Sequence, residues 1–158
     1  MACQTFSLLL GSADETARYA QTLGATLRPA DVVLLEGPVG AGKTHFARQL
    51  IQSILTDPED VPSPTFTLVQ SYETTRGTLW HADLYRLSSV FEVEELGLSE
   101  AFETAICLVE WPDRLGALAP PDALTLSFSP ADKEEARHLT ATWTAQRWSD
   151  PIQSWAAA

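Results

Sequence analysis

The spacing of apolar and polar positions changes several times along the chain, and the changes mark alternating strands and helices. Val32 to Glu36 is a continuous apolar run closing on an acid, as in a strand buried on both faces of a parallel sheet. From Phe46 the period becomes helical: Phe46, Ala47, Leu50, Ile51, Ile54 and Leu55 share one face. That helix should stop ahead of Pro58, because proline disfavours helix at the residue before it. Upstream, Thr5 to Leu10 reads as a strand. Ser12 and Glu15 then form a Ser-x-x-Glu capping box, opening a helix with Ala17, Ala20, Leu23 and Leu27 on its apolar side. Downstream, Thr67 to Tyr72 and Thr78 to Asp83 read as two strands joined by a hairpin turn at Glu73 to Gly77. A short acidic helix is expected between Arg86 and Leu98, ended by Gly97. Ile106 to Glu110 is a second fully apolar run ending in an acid. Ala123 to Ser129 and His138 to Thr144 alternate as strands, antiparallel at one sheet edge. Together these predict an α/β fold with a central, mostly parallel sheet, antiparallel edge strands and flanking helices. One domain is expected over 1–147, with Trp148 to Ala158 a tail, partly ordered at best.

The segment between the first apolar run and its helix carries the chemistry. Gly37-Pro38-Val39-Gly40-Ala41-Gly42-Lys43-Thr44 satisfies the G-x-x-x-x-G-K-[ST] phosphate-loop pattern, in the strand-loop-helix context that the pattern requires. Glycines let the backbone wrap phosphate oxygens closely. The unpaired N–H groups and the dipole of the following helix favour an anion there. Lys43 is expected to reach the β- and γ-phosphates, and Thr44 to offer its hydroxyl to Mg2+.

Charge narrows the partners. Of 158 residues, 21 are Asp or Glu and ten are Lys or Arg, for a net charge of −11. Only Lys43 and Lys133 are lysines, and no base lies between Arg86 and Arg114. Nucleic-acid affinity comes largely from bases neutralising phosphates, so this surface should repel RNA and DNA and meet any nucleic acid through another protein. Cys3 and Cys107 are far apart and match no metal-ligand spacing, a usage that fits a reducing cytosol, with Cys107 a buried thiol. Phe6 to Leu10 has no base before it and acids soon after, unlike a secretion signal. No run approaches the roughly 18 apolar residues of a membrane helix.

A phosphate loop needs a carboxylate at the end of a neighbouring strand, to hold Mg2+ directly or through water. Glu110 and Asp83 both occupy such ends. Glu110 is expected to be the metal carboxylate; Asp83 would orient or deprotonate the attacking water, or help bind Mg2+. Each could instead be a solvated strand-end acid. Thr65, in a proline-stiffened loop, either swings its hydroxyl toward Mg2+ as switch loops do or is an ordinary loop threonine. His81 shares a strand face with Asp83 and either hydrogen-bonds a site carboxylate or is structural. Trp111 either covers the site or packs. For Arg86, an ion pair with the acidic segment is expected ahead of a phosphate contact. The acids from Glu92 to Glu103 form a solvated face or a docking surface for a basic partner.

Five stretches resemble the bacterial TsaE (YjeE) family: 37–44; Pro-Ser-Pro-Thr-Phe-Thr-Leu-Val at 62–69; His-Ala-Asp-Leu-Tyr-Arg-Leu at 81–87; Glu-Leu-Gly-Leu at 95–98; and Ile-Cys-Leu-Val-Glu-Trp-Pro at 106–112. They keep that family's order and spacing across most of 30–115. The resemblance implies a P-loop NTPase fold that binds ATP and Mg2+. Lys43, Thr44, Asp83 and Glu110 then serve nucleotide binding and hydrolysis, Thr65 gains weight as a switch residue, and Trp111 and Arg86 gain weight beside it. Ser12, Asp14 and Asp113 lie where family members approach adenine and ribose. The resemblance also implies a cytoplasmic ATPase that sustains the TsaB and TsaD proteins. Those partners form threonylcarbamoyladenosine at position 37 of tRNAs reading codons that begin with A. The transfer itself, and the contact with tRNA, fall to the partners; neither membrane nor DNA is implied.

Three other readings compete. A P-loop small-molecule kinase usually gathers several arginines over the phosphates, whereas Arg76, Arg86 and Arg114 are scattered. A GTPase would need a guanine-reading Asn-Lys-x-Asp, which is absent. A nucleotide-gated binding module would make hydrolysis incidental. The same shortage of placed arginines predicts slow turnover without partners.

Overall fold

The strand ends that carry the acids lie side by side. The computed structural model describes residues 3–65 and 67–156. Its strands are β1 (Gln4–Leu10), β2 (Val32–Glu36), β3 (Val69–Thr74), β4 (Gly77–Asp83), β5 (Ile106–Glu110), β6 (Leu124–Pro130) and β7 (Arg137–Trp143). They form one sheet in the order β1-β7-β6-β2-β5-β4-β3. The four central strands β6, β2, β5 and β4 are mutually parallel. The flanking pairs are antiparallel. The expected mixed sheet is therefore observed.

Alternation along the strands explains the layers. In β2, Val33 and Leu35 face one side while Val32 and Leu34 face the other. In β5, Ile106 and Leu108 go with the first set, and Cys107 and Val109 with the second. The first face is covered by α1 (Ala13–Gly24), α2 (Lys43–Ile54) and α5 (Ser149–Ala156). The second is covered by α3 (Val90–Glu95), α4 (Leu98–Thr104) and a 3-10 segment over Pro112–Leu118. Ser12 caps α1 as predicted, accepting the Glu15 N–H at 3.2 Å.

Several local expectations change. β3 starts at Val69 rather than Thr67, because Leu68 takes a left-handed φ of 69° that no strand accommodates. The β3–β4 turn is two residues, Thr75 and Arg76, with Thr74 paired to Gly77. The short acidic helix is α3, which Gly97, at φ 84°, ends as expected; what was not expected is that a second short helix, α4, follows at once. The largest correction concerns the region after Trp148. It is no loose tail: α5 packs on α1 and α2, with Trp148 and Trp155 buried. Trp155 meets Tyr19 and Phe46 edge to face and donates its indole N–H to the Tyr19 carbonyl at 3.1 Å. Two large indoles repay the ordering of a short helix.

Candidate functional site

Parity along two neighbouring strands builds the site. His81 and Asp83 on β4, and Glu110 on β5, share strand parity with Leu79 and Leu108, which face α2. Asp83 pairs in register with Glu110, so both carboxylates emerge at one end of the sheet. The loop after β2 reaches the same end and starts α2, placing Lys43 and Thr44 opposite the acids. Glycine is required at the loop's first position. Gly37 has φ 141°, and a Cβ there would collide with the Phe128 carbonyl of β6.

The contacts follow. The Thr44 hydroxyl donates to Glu110 Oε1 at 2.7 Å. Glu110 Oε2 lies 2.7 Å from His81 Nε2. The Nε2–H tautomer would make His81 the donor and leave Nδ1, which is buried without a partner among the described residues, as an acceptor. Thr65 donates to Asp83 Oδ2 at 3.1 Å, and Asp83 Oδ1 accepts the Tyr85 N–H at 3.0 Å. Lys43 is 5% exposed. Its ammonium donates to the carbonyls of Gly37 and, at 3.1 Å, Pro38, and lies 4.0 Å from the centroid of the Trp111 ring. Burial pushes the Lys43 ammonium below the usual lysine range, while the Glu110 and Asp83 carboxylates pull it back up.

These groups border a cavity of about 480 Å3, a size suited to a small molecule. Val39 to Thr44, Thr65, Asp83, Glu110 and Trp111 line it. Gly37 and Pro38 stand behind, holding Lys43 through their carbonyls. Trp111 both covers the site and packs, its ring tilted by 50° against Tyr85 with centroids 4.8 Å apart. Its φ of 60° turns the chain sharply out of β5. Ser12, Arg86 and Asp113 do not line the cavity. Asp113 is an exposed partner of Arg114 at 3.3 Å. Ala13 and Thr16 line a smaller recess of about 130 Å3, which shares Gly42, His45 and Arg137 with the main cavity.

Sequence reasoning missed Arg137. It starts β7 far along the chain, yet its Nη2 donates to the Gly40 carbonyl at 3.2 Å, and it lines the cavity. The available signal was scarcity: with ten bases in the chain, each one merits testing against the loop. Phe66, within the 62–69 stretch, lies outside the described residues.

The donor set suits the groups the resemblance implied. Hydroxyl and carboxylate oxygens suit a hard divalent cation. A buried ammonium hydrogen-bonded to two carbonyls and set against an indole suits an incoming anion. Among the described residues, no three His, Cys, Asp or Glu side chains cluster to hold a metal unaided. Nor, among them, is any helix long and apolar enough to cross a membrane.

A parallel-centred sheet, with a glycine loop opening a helix beside two strand-end carboxylates, defines an α/β protein of the P-loop NTPase fold class. The family model described as threonylcarbamoyl adenosine biosynthesis protein TsaE matches residues 10–139. The chain belongs to the TsaE family. It is 39% identical over 127 residues to the tRNA threonylcarbamoyladenosine biosynthesis protein TsaE of Rickettsia bellii, covering 80% of this chain and 88% of that protein. The Bacillus subtilis protein of the same name is 36% identical over 136 residues, covering 85% and 84%. The crystal structure of Bacillus subtilis YdiB superposes with a TM-score of 0.79 at 26% identity, over 99% of this chain and 97% of that one.

Proposed function

We propose that this protein is a cytoplasmic, Mg2+-dependent ATPase. Its hydrolysis sustains TsaB and TsaD proteins as they form N6-threonylcarbamoyladenosine at position 37 of tRNAs reading codons that begin with A. It does not itself transfer the threonylcarbamoyl group, and tRNA is met through the partners. The observation that carries the reading is the convergence of Lys43, Thr44, Asp83 and Glu110 on one cavity.

Roles follow from position. Lys43 exchanges the carbonyls of Gly37 and Pro38 for β- and γ-phosphate oxygens. Thr44 and Glu110, already hydrogen-bonded to each other, are the oxygen ligands for Mg2+. Mg2+ held there would supply charge neutralisation for the phosphates. Asp83 orients the attacking water, and Thr65, bonded to it, links the Ser-Pro-Thr loop to the same atoms. Trp111 and Tyr85 shield the mouth from water. Arg137 supplies one cation beside the loop, so turnover in isolation is slow and a partner's group raises it; trans-acting arginines are worth about 10³–10⁵ in comparable enzymes. Adenosine would extend toward the recess beside Ala13, which brings the region of Ser12 close to the ligand.

The test is reconstitution of tRNA modification with TsaB and TsaD, following phosphate release and modified nucleoside together. Wild type should sustain repeated modification and Lys43→Ala should not. Equal support by Glu110→Gln and wild type would overturn the ATPase reading in favour of a nucleotide-gated module. A phosphorylated metabolite in place of free phosphate would favour a kinase.

A further inference from the structure

Three of the chain's ten basic side chains meet at the end of the sheet opposite the phosphate loop. Arg28 lies between α1 and β2, Arg76 in the β3–β4 turn and Arg147 just ahead of α5. They line a groove of about 500 Å3, with Thr26, Gln146 and Ser154 among its polar walls. Arg28 and Arg76 precede the starts of β2 and β4, whereas the phosphate loop follows the end of β2 and Asp83 closes β4. Five residues of β2 intervene, about 16 Å of strand. The groove and the nucleotide cavity share no lining residue.

Charge in the groove runs against that of the molecule. Acids outnumber bases 21 to ten in the chain, yet three arginines here face one lining acid, Asp150. Fold maintenance accounts for part of the arrangement. Asp31, buried beneath, accepts from Arg147 Nε at 3.1 Å and from Nη2, which also donates to the Thr26 carbonyl at 2.8 Å. Arg76 Nε donates to the Leu27 carbonyl at 2.7 Å. These bonds fix one edge of the Arg147 guanidinium and the Nε of Arg76, and they fasten the segment after β7 and the β3–β4 turn to the stretch between α1 and β2. They leave Nη1 of Arg147, both Nη atoms of Arg76 and the whole guanidinium of Arg28 without a protein partner among the described residues.

A guanidinium pinned along one edge and open along the other is preorganised for an oxyanion. It presents parallel donors in a rigid fork, and little rotamer freedom remains to be lost on binding. Arg147 is held further by the Trp148 ring, with its Cζ 4.5 Å from the centroid. Three arginines lining one groove exceed what a singly charged, two-oxygen carboxylate can use, and they suit a phosphate group. The chain's lysines, the cations of diffuse attraction, are at 43 and 133 and do not line the groove.

We infer that this groove is a second phosphate-binding site, separate from the loop and taking a ligand other than the nucleotide held there. Its phosphate belongs either to a small free molecule or to the backbone of a tRNA that the partners present. Lys43→Ala protein, whose loop lacks its phosphate-holding ammonium, is titrated calorimetrically with inorganic pyrophosphate and separately with unmodified tRNA. Saturable binding of either probe, weakened at least tenfold by adding Arg28→Glu, is the expected result. Arg28 is exposed and its guanidinium has no partner among the described residues, so that variant reads the groove without unfolding the protein. Binding of pyrophosphate but not tRNA assigns the site to a free phosphate ligand. Binding of tRNA, with the salt slope reduced by about one in the variant, assigns it to a backbone. Absence of saturable binding of both probes up to millimolar concentration, or binding indifferent to Arg28→Glu, overturns the inference. The Lys43→Ala background keeps this outcome separate from that of the ATPase reading.

Discussion

The two faces of the sheet bury comparable apolar strands but are covered very differently. On one, α1 and α2 run twelve residues each, and α5 with the turn before it adds Trp155 and Trp148, buried at 2% and 1% exposure. On the other, α3 and α4 are six and seven residues long, and Phe91 stands 68% exposed. The first covering is a dry, aromatic-rich core. The second is thin, acidic and unfinished toward solvent. The site lies where they meet: Lys43 and Thr44 come from the thick side, and Tyr85 and Trp111 lead toward the thin one. A rigid cradle beside a lightly built rim suits a site whose occupant must enter and leave.

The contrast can be broken, most severely on the thick side. Trp155→Ala should cost about 3–5 kcal/mol of stability, lowering the melting temperature by about 10 °C, as thermal unfolding will read. At the junction, Glu110→Gln should slow ATP turnover by about 10²–10³-fold without loss of stability. It removes the charge that faces Thr44 and His81. Steady-state phosphate release and a parallel urea titration will separate the two effects.

The thin side gives a pH test. Cys107 lies at 0% exposure on the face of β5 that meets α4, and burial pushes its thiol from 9.0 up to about 12. The folded state therefore keeps a proton that the unfolded chain releases above pH 9, so stability falls as pH rises through that window. The slope contributed is about 1.4 kcal/mol per pH unit, and Cys107→Val should flatten it in urea titrations between pH 9 and 11. The smallest effect belongs to the rim: Phe91→Ser should move stability by less than about 0.5 kcal/mol. A larger loss would mean that α3 is part of the core after all.

Much of the site could be read from residue order because its signals are local. The glycine loop and the two strands closing on acids need no knowledge of distant parts of the chain, and both acids fell in register at one edge. Thr65 and His81 joined them through contacts that spacing alone left open. What could not be read depends on long-range packing. Arg137 meets Gly40 across 97 positions, and nothing around it spells phosphate. The last helix was misjudged for the same reason: its order comes from Tyr19 and Phe46, far away in sequence. Leu68 escaped because a left-handed leucine contradicts its own strand-like neighbourhood.

The resting place of Lys43 has a practical consequence. Its ammonium sits against the Trp111 indole, so an anion that draws the lysine off its two carbonyls also strips a positive charge from that ring. Trp143, Trp148 and Trp155 are sealed in the interior and contribute a steady background. Fluorescence of the unlabelled protein should therefore shift as the loop fills, giving a dye-free gauge of occupancy on the timescale of a stopped-flow trace.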